Sequence, residues 1–223
     1  MALAVRGTNP NGLSAAVTAT TGAAGLALDD GANTLLITRA EIVLAEIELK
    51  RTESTSCTPV GEDDDCEEFE TGPRLVDLPL DGKVVQELAT AIPAVSYDRL
   101  EFEIDRLEDD SGSDILRERP DLQGLSVRIT GTFNGAPFVF VSEESQELEL
   151  DLSPPLVVGA EGSDINLTLS IDLAAWFTTD GGMLVNPTVQ SSADLIDNNI
   201  DQSFECFEDD DSDGNDDDGD DDA

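Results

Sequence analysis

The sequence predicts an all-β fold, a predominantly antiparallel β-sandwich, from two features: strict apolar/polar alternation in several segments and turn dipeptides spaced between them. The clearest alternation runs Ile165-Asn166-Leu167-Thr168-Leu169-Ser170-Ile171-Asp172-Leu173, with five apolar residues at every second position. Successive side chains of an extended chain point to opposite faces. This segment is therefore expected to be a half-buried strand, with Leu169 inward and Thr168 and Ser170 facing solvent. Leu100/Phe102/Ile104, Leu125/Val127/Ile129/Phe133 and Leu148/Leu150/Leu152 repeat the pattern, and within 37–49 the residues Val43, Ala45, Ile47 and Leu49 align. Shorter strands are expected at 3–5, 15–18, 26–28, 75–80 and 138–141. Asp-Gly, Asn-Gly and Gly-Gly at 30–31, 81–82, 134–135 and 181–182 supply residues that tolerate the positive φ of tight turns. There is no βαβ alternation and no Rossmann or P-loop glycine pattern.

Helix is minor. Residues 83–91 have room for two turns and 173–177 for one. The strongest helical pattern is 192–207, where Ser192 stands at a capping position and Ile196, Ile200, Phe204 and Phe207 recur at helical spacing. The expected organisation is a β-sandwich over 1–190, an amphipathic C-terminal helix packed on it over 191–207, and an acidic tail over 208–223. Hydrophobic residues make up 39% of the chain, enough for a folded core, and aromatics only 4%, so burial rests on Val, Ile, Leu and Ala.

Eleven Lys+Arg stand against 50 Asp+Glu, a formal net charge of −39 with no histidine. Such a surface repels nucleic-acid phosphate and anionic lipid headgroups. The lack of histidine removes His-based triads, HExxH sites and an imidazole acid/base poised near neutral pH. No G-x-S-x-G elbow or S-x-x-K motif is present. With fifty carboxylates, some pair must lie at glycosidase-like separation, so paired acids carry no information here. The chain is expected not to be an enzyme. No apolar run approaches the ~20 residues that span a bilayer.

The most specific motif is the terminal acidic run. Asp209, Asp211, Asp213, Asp217 and Asp220 occupy the ligand positions of D-x-D-x-D-G-x-x-D-x-x-D, with Gly214 at the turn. A hard divalent cation such as Ca²⁺ takes six to eight oxygens, and alternate carboxylates around a glycine turn supply them. A diffuse cation-collecting polyanion and a merely solubilising tail are the two other readings of this run. The tail does not account for all the charge: set its 11 carboxylates at 208–222 aside, and −28 of the −39 remains on residues 1–207. Adaptation to high salt, or a surface that collects cations, would produce such a body. Acidic loops at 62–70 and 105–114 are read chiefly as solvated loop tips, with secondary metal sites as the alternative. Trp176-Phe177 reads chiefly as core, with a sugar-stacking platform as the alternative.

Cys57 and Cys66 bracket a short acidic loop that would raise thiol pKa values and discourage a reactive thiolate. A local disulfide is the favoured reading, and it points to an oxidising compartment. Cys206 is then the odd cysteine, either free or paired with another chain. The N-terminus lacks a signal-peptide apolar stretch, which taken literally reads as cytosolic; an initiator Met on a mature sequence that has lost its leader is the other reading, and the loop cysteines favour it.

The stretch TGPRLVDLPLDGKVVQELATAIPAVSYDRLEFEID at 71–105, preceded by ITRAEIVLAEIEL at 37–49, resembles the bacterial envelope domains catalogued as domain of unknown function 4382. Their pattern is an I-x-x-A/V-E-I strand, a V-D-L strand, a P-A-G-x-Y turn and a strand of alternating apolar residues. Here Val95 replaces the turn glycine. The resemblance covers 35–110. The close of the chain, 165–215, is similar to that of exported bacterial proteins with acidic tails. The run 209–220 resembles thrombospondin type three calcium-binding repeats, and its first half resembles an EF-hand loop. It has Asp220 in place of the usual Glu, and no helix is expected after it.

These resemblances imply a secreted or lipid-anchored β-sandwich of the bacterial periplasm, cell surface or extracellular space. The expected function is a noncatalytic binding or structural module with divalent cations, Ca²⁺ foremost, as partners and contact with other copies of itself as a further expectation. A carbohydrate-binding module that takes glycan through Trp176 is one alternative. A halophilic domain whose acid serves solvation is the other. If the loop cysteines pair, mass spectrometry of nonreduced protein isolated from its native compartment will find Cys57 joined to Cys66. Free thiols at both positions would refute the bridge and weaken the exported assignment.

Overall fold

The structure, a computed structural model, describes residues 2–6, 18–22, 25–52, 67–81, 84–89, 95–108, 113–158 and 166–208. Its strands are β1 (Ala2–Arg6), β2 (Thr18–Gly22), β3 (Gly25–Asp29), β4 (Thr34–Arg51), β5 (Glu67–Thr71), β6 (Arg74–Asp77), β7 (Val84–Ala89), β8 (Ser96–Ile104), β9 (Val127–Phe133), β10 (Ala136–Ser142), β11 (Gln146–Val157), β12 (Asn166–Ile171) and β13 (Phe204–Glu208). Three short helices accompany them: α1 (Ser113–Glu118), α2 (Leu173–Trp176) and α3 (Ala193–Asp201). The all-β class holds. One sheet has the order β13-β12-β1-β7, antiparallel except for the parallel β1–β12 pair. The other, of nine strands, is antiparallel throughout and built around β4. Residues of β12, α2, α3 and the large sheet share one core, which includes Ile37, Ile42, Phe102, Leu169, Trp176 and Ile196.

Strand β4 is paired along both edges. On one side it meets β3, then β6, then β5, and on the other β9, then β8. Register shifts between Ile37 and Arg39 against β9, and between Leu44 and Glu46 against β8, add residues to β4 and reverse the facing of the residues beyond each shift. The core face therefore reads Leu35, Ile37, then Ala40, Ile42, Leu44, then Ile47, Leu49. This corrects the uninterrupted alternation expected for 37–49. Val43 lies in a second, smaller cluster with Leu107 and Leu122, and Ala45 is only half-buried. That cluster is supplied by the β8–β9 connection, whose α1 and following 3₁₀ turn (Pro120–Leu122) pack against β4.

Glu41, fully buried, belongs to the same region. Arg39 Nη2 and Arg119 Nη1 reach its Oε1 at 2.9 and 2.5 Å, while Arg119 Nη2 and Arg128 Nη1 reach Oε2 at 3.2 and 3.3 Å. Arg119 is held in turn by Asp121 at 2.9 Å, and Arg39 by Asp77 at 3.1 Å. Three guanidiniums thus enclose one carboxylate, and two outer aspartates bring the set to neutrality.

Further expectations are corrected. Residues 84–89 form strand β7, antiparallel to β1, rather than a helix. The C-terminal helix stops at Asp201, and 204–208 return as β13 beside β12, placing Phe204 against Phe102 with ring centroids 6.3 Å apart. Ser192 precedes α3 without a side-chain capping bond. The acidic run therefore follows a strand in the sequence rather than the helix expected over 192–207. In β12, Leu169 is buried as expected, but Thr168 and Ser170 are only 1% and 5% exposed. An interior strand covered on both faces still accepts short hydroxyl side chains, because each brings its own donor and acceptor.

Introducing charge into β12 should therefore be costly on either face. Leu169→Asp and Ser170→Asp should each lower stability in urea denaturation by about 3 kcal/mol or more, since both bury an unpaired carboxylate. A loss under about 1 kcal/mol for Ser170→Asp would show that its face opens to solvent.

Candidate functional site

The β9–β10 hairpin turns through Asn134 and Gly135, at φ +50° and +80°, the left-handed pair that matches strand twist. Asn134 also accepts from the Thr34 amide through Oδ1 at 2.8 Å and donates its own amide to the Thr34 carbonyl at 2.8 Å, which locks the hairpin to β4. Phe133 and Ala136 face each other directly beside the turn. In an antiparallel ladder closed by a two-residue turn, that pair and every second pair after it exchange backbone bonds. Phe138 and Phe140 thus bond inward to β9, and the backbones of Pro137, Val139 and Val141 point away from it. Proline is tolerated there because its missing N–H would have faced outward. The side chains divide in the same way. Phe138 and Phe140 are buried edge-on to Phe177, with centroids 6.1 and 6.3 Å apart, while Val139 and Val141 are 57% and 43% exposed.

Among the described residues β10 ends its sheet. Its outer edge forms one wall of a groove of about 570 Å³, and Pro187–Gln190 with the first two turns of α3 form the other. The second wall is held by several polar contacts. The Asp30 carboxylate accepts from the amides of Ala32, Asn33 and, across the fold, Leu184, at 2.8, 2.6 and 2.8 Å. These bonds, that to Leu184 foremost, hold its pKa down at about 2. Asn186 Oδ1 accepts from the amide and hydroxyl of Thr188, which shapes the bend before α3. Asp172 caps α2 through the amides of Ala174 and Ala175. Asn199 of α3 donates to the carbonyls of Ala175, Trp176 and Thr178, each at 3.1 Å, and so fastens the two helices together.

The groove is acidic. Glu143, Glu144, Asp194 and Asp197 line it, and none of the lining residues is Lys or Arg. Burial pushes the Asp197 carboxyl above the usual aspartate range against the pull of a Ser142 hydrogen bond, and the charges of Glu144 and Asp194 push the same way. Its Oδ1 is buried without a hydrogen-bond partner among the described residues. The groove offers open backbone groups, an apolar strip and negative charge.

Asp209, Asp211, Asp213, Asp217 and Asp220, like Cys57 and Cys66, lie outside the described residues. The described residues contain no group of three or more His, Cys, Asp or Glu placed to hold a metal. Cys206 sits on β13 opposite Leu169. Residues 67–70 of the first acidic loop lie in strand β5. In the second, Asp105 accepts from the Ser145 hydroxyl and Asp114 pairs with Arg117. Trp176 is fully buried, with Nε1 donating to Ser203 Oγ at 2.6 Å, so it is a core residue and presents no face to a sugar. Comparison with family models, curated proteins and solved structures finds no match for the chain.

Sequence patterning alone singles out neither the groove nor the Glu41 cluster, yet both leave a trace in it. Pro137 within an apolar alternation marks an edge strand. A carboxylate inside Ala40-Glu41-Ile42-Val43-Leu44 marks a buried charge that must find partners.

The carboxylates fall into two sets with opposite pH behaviour. Burial, reinforced by Asp105, Glu147 and Glu48, raises the Glu103 pKa, as burial raises that of Asp197. The folded state binds these protons more readily than the unfolded chain, so stability rises as pH falls through their folded values and is fully gained below the unfolded ones. For Glu41 burial pushes upward, but the hydrogen bond from Arg119 and the charges of Arg39 and Arg119 outweigh it and hold the pKa below the ordinary 4.5. Asp121 is held at about 2, chiefly by its Arg119 hydrogen bond. The contributions of Glu41, Asp121 and Asp30 are complete above the unfolded values and are lost as pH falls through the folded ones. Urea denaturation across pH should show stability rising as pH falls from neutral and declining again once Glu41, Asp121 and Asp30 take up protons. A monotonic fall from neutral pH downward would contradict the raised values of Glu103 and Asp197.

Proposed function

We infer that the chain is a noncatalytic binding module of the bacterial envelope or extracellular space whose ligands are cationic, with Ca²⁺ as the resident ion. The observation that carries this reading is where the positive charge goes. Arg39, Lys50, Arg99, Arg117, Arg119 and Arg128 are each within ion-pair distance of a carboxylate of the same chain. Three of them converge on the single buried Glu41. With these six of its eleven cations beside its own acids, the body still carries −28 over residues 1–207. The counterions for that charge must come from solution or from a partner.

Beyond Glu208 the sequence continues into the D-x-D-x-D-G-x-x-D-x-x-D run, with Asp209, Asp211, Asp213, Asp217 and Asp220 in calcium-ligand spacing. Placement outside the cell rests on the Cys57–Cys66 loop and on the resemblance to envelope domains. Binding at the run would neutralise it where it leaves β13.

Calcium at about one hundred times its dissociation constant should raise the melting temperature by about 5 °C or more through mass action. Mg²⁺ at matched ionic strength should do less, because it demands a tighter octahedron and gives up its waters reluctantly. The combined variant Asp211→Asn/Asp213→Asn/Asp217→Asn should lose the difference between the two ions. Equal responses to both ions in the unaltered protein would leave the acid a solvation role alone and overturn the calcium reading.

A further inference from the structure

We propose that the open edge of β10 is a strand-addition site for an extended, basic segment of another protein. The site is distinct from the aspartate run at 209–220 and does not depend on calcium.

Pairing a new strand requires unsatisfied main-chain groups in a row, and β10 has them. The register with β9 directs the N–H groups of Val139 and Val141, and the carbonyls of Pro137, Val139 and Val141, away from the sheet. None of these groups has a backbone partner among the described residues beyond the ladder itself. The edge is accessible, since it forms a wall of the 570 Å³ groove and Val139 and Val141 stand more than two-fifths exposed. Main-chain bonds supply affinity in strand addition, and the pockets for alternate side chains supply choice.

The lining selects the occupant. Glu143 and Glu144 at the end of β10, facing Asp194 and Asp197 on α3, place four carboxylates around the groove with no cation among its lining residues. An incoming strand with Lys or Arg at alternate positions meets complementary charge, and its intervening apolar residues meet Val139 and Val141. A second copy of this chain is opposed by its own −39 charge. The longer segments of this chain outside the described residues, 7–17, 53–66 and 209–223, contain no Lys or Arg and cannot supply the complement.

The probe is a fluorescein-labelled peptide of four lysines alternating with three valines, titrated with the full-length protein in fluorescence anisotropy with chelator present. Saturable binding is expected. Val139→Pro/Val141→Pro should weaken it by about tenfold or more, because both outward N–H donors are lost. Proline at these positions breaks no bond to β9, and Pro137 already occupies the equivalent position. A melting temperature within a few degrees of the unaltered protein confirms that the variant is folded. Should that variant melt early, the same peptide methylated on alternate backbone nitrogens reads the same interaction from the other side and should bind at least about tenfold more weakly. Glu143→Lys/Glu144→Lys should weaken binding without altering the edge backbone.

Equal affinity for the methylated and unmethylated peptides would overturn strand addition, as would unchanged binding by the folded proline variant. Equal affinity for a peptide with glutamates replacing the lysines would overturn the basic partner. Absence of binding would overturn the proposal outright, and a dimer in sedimentation that disappears in the proline variant would assign the edge to a second copy instead.

Discussion

The structure depends on β4 being correctly registered along its whole length. This one strand borders five others, and its two register shifts decide which residues enter the core. A slip of one residue would carry Glu41 from its arginines into the hydrocarbon face occupied by Ala40 and Ile42. Glu41 lies directly opposite Arg128 on β9 and Asp77 on β6, so the register that satisfies the carboxylate also fixes both neighbours. Desolvating such a cluster consumes much of its Coulomb attraction, and breaking one partner of a buried pair commonly costs about 3 to 5 kcal/mol. A register that removed Glu41 from its arginines would carry that penalty. Arg119 extends this to the β8–β9 connection, which it ties to the sheet beside Val43 and Leu122.

The chain's electrostatics arise from the same allocation. A protein with few cations has gathered three of its eleven around one buried carboxylate. Lys50 and Arg99 similarly serve the carboxylates of β4, β8 and β11, bridging Glu48 with Glu101 and Glu101 with Glu149. The partly buried Glu103 has no such cation among the described residues; burial raises its pKa, and the neighbouring Asp105, Glu147 and Glu48 push the same way. Folding thus divides the acids into a set beside cations, with Glu41 at its centre, and a larger set without them. The second set gives the protein its negative field.

Most of the strands were legible in the sequence because alternation reports one-sided burial, and β8, β9 and β12 fall where it places them. Where a position faces was less legible. In β4 the register shifts move Val43 off the face shared by Ile47 and Leu49 with no composition signal. In β12 both faces are covered, so Thr168 and Ser170 look like solvent positions while lying inside. Ile196, Ile200, Phe204 and Phe207 keep helical spacing across the end of α3, and no glycine or proline marks the stop at Asp201. The chain leaves the helix there because pairing with β12 satisfies the backbone of 204–208 and carries Phe204 onto Phe102. The groove was not legible because it joins residues about 50 positions apart through the fold, and single-strand patterns carry no such information.

An exposed sheet edge bearing valines is ordinarily an aggregation hazard, and proteins blunt such edges with lysine, bulges, proline or a covering loop. β10 has Pro137 at one end and two glutamates beyond the other, but its middle is open and apolar. The net charge protects it in a different way. Two copies approaching edge to edge bring like charge together over the whole surface, a penalty that acts before any backbone bond forms and weakens as salt screens it. A basic strand meets no such barrier and is attracted by the same field. Acidity that appears as bulk composition in the sequence thus acts at this edge as discrimination, excluding the chain's own strands and admitting strands of opposite charge.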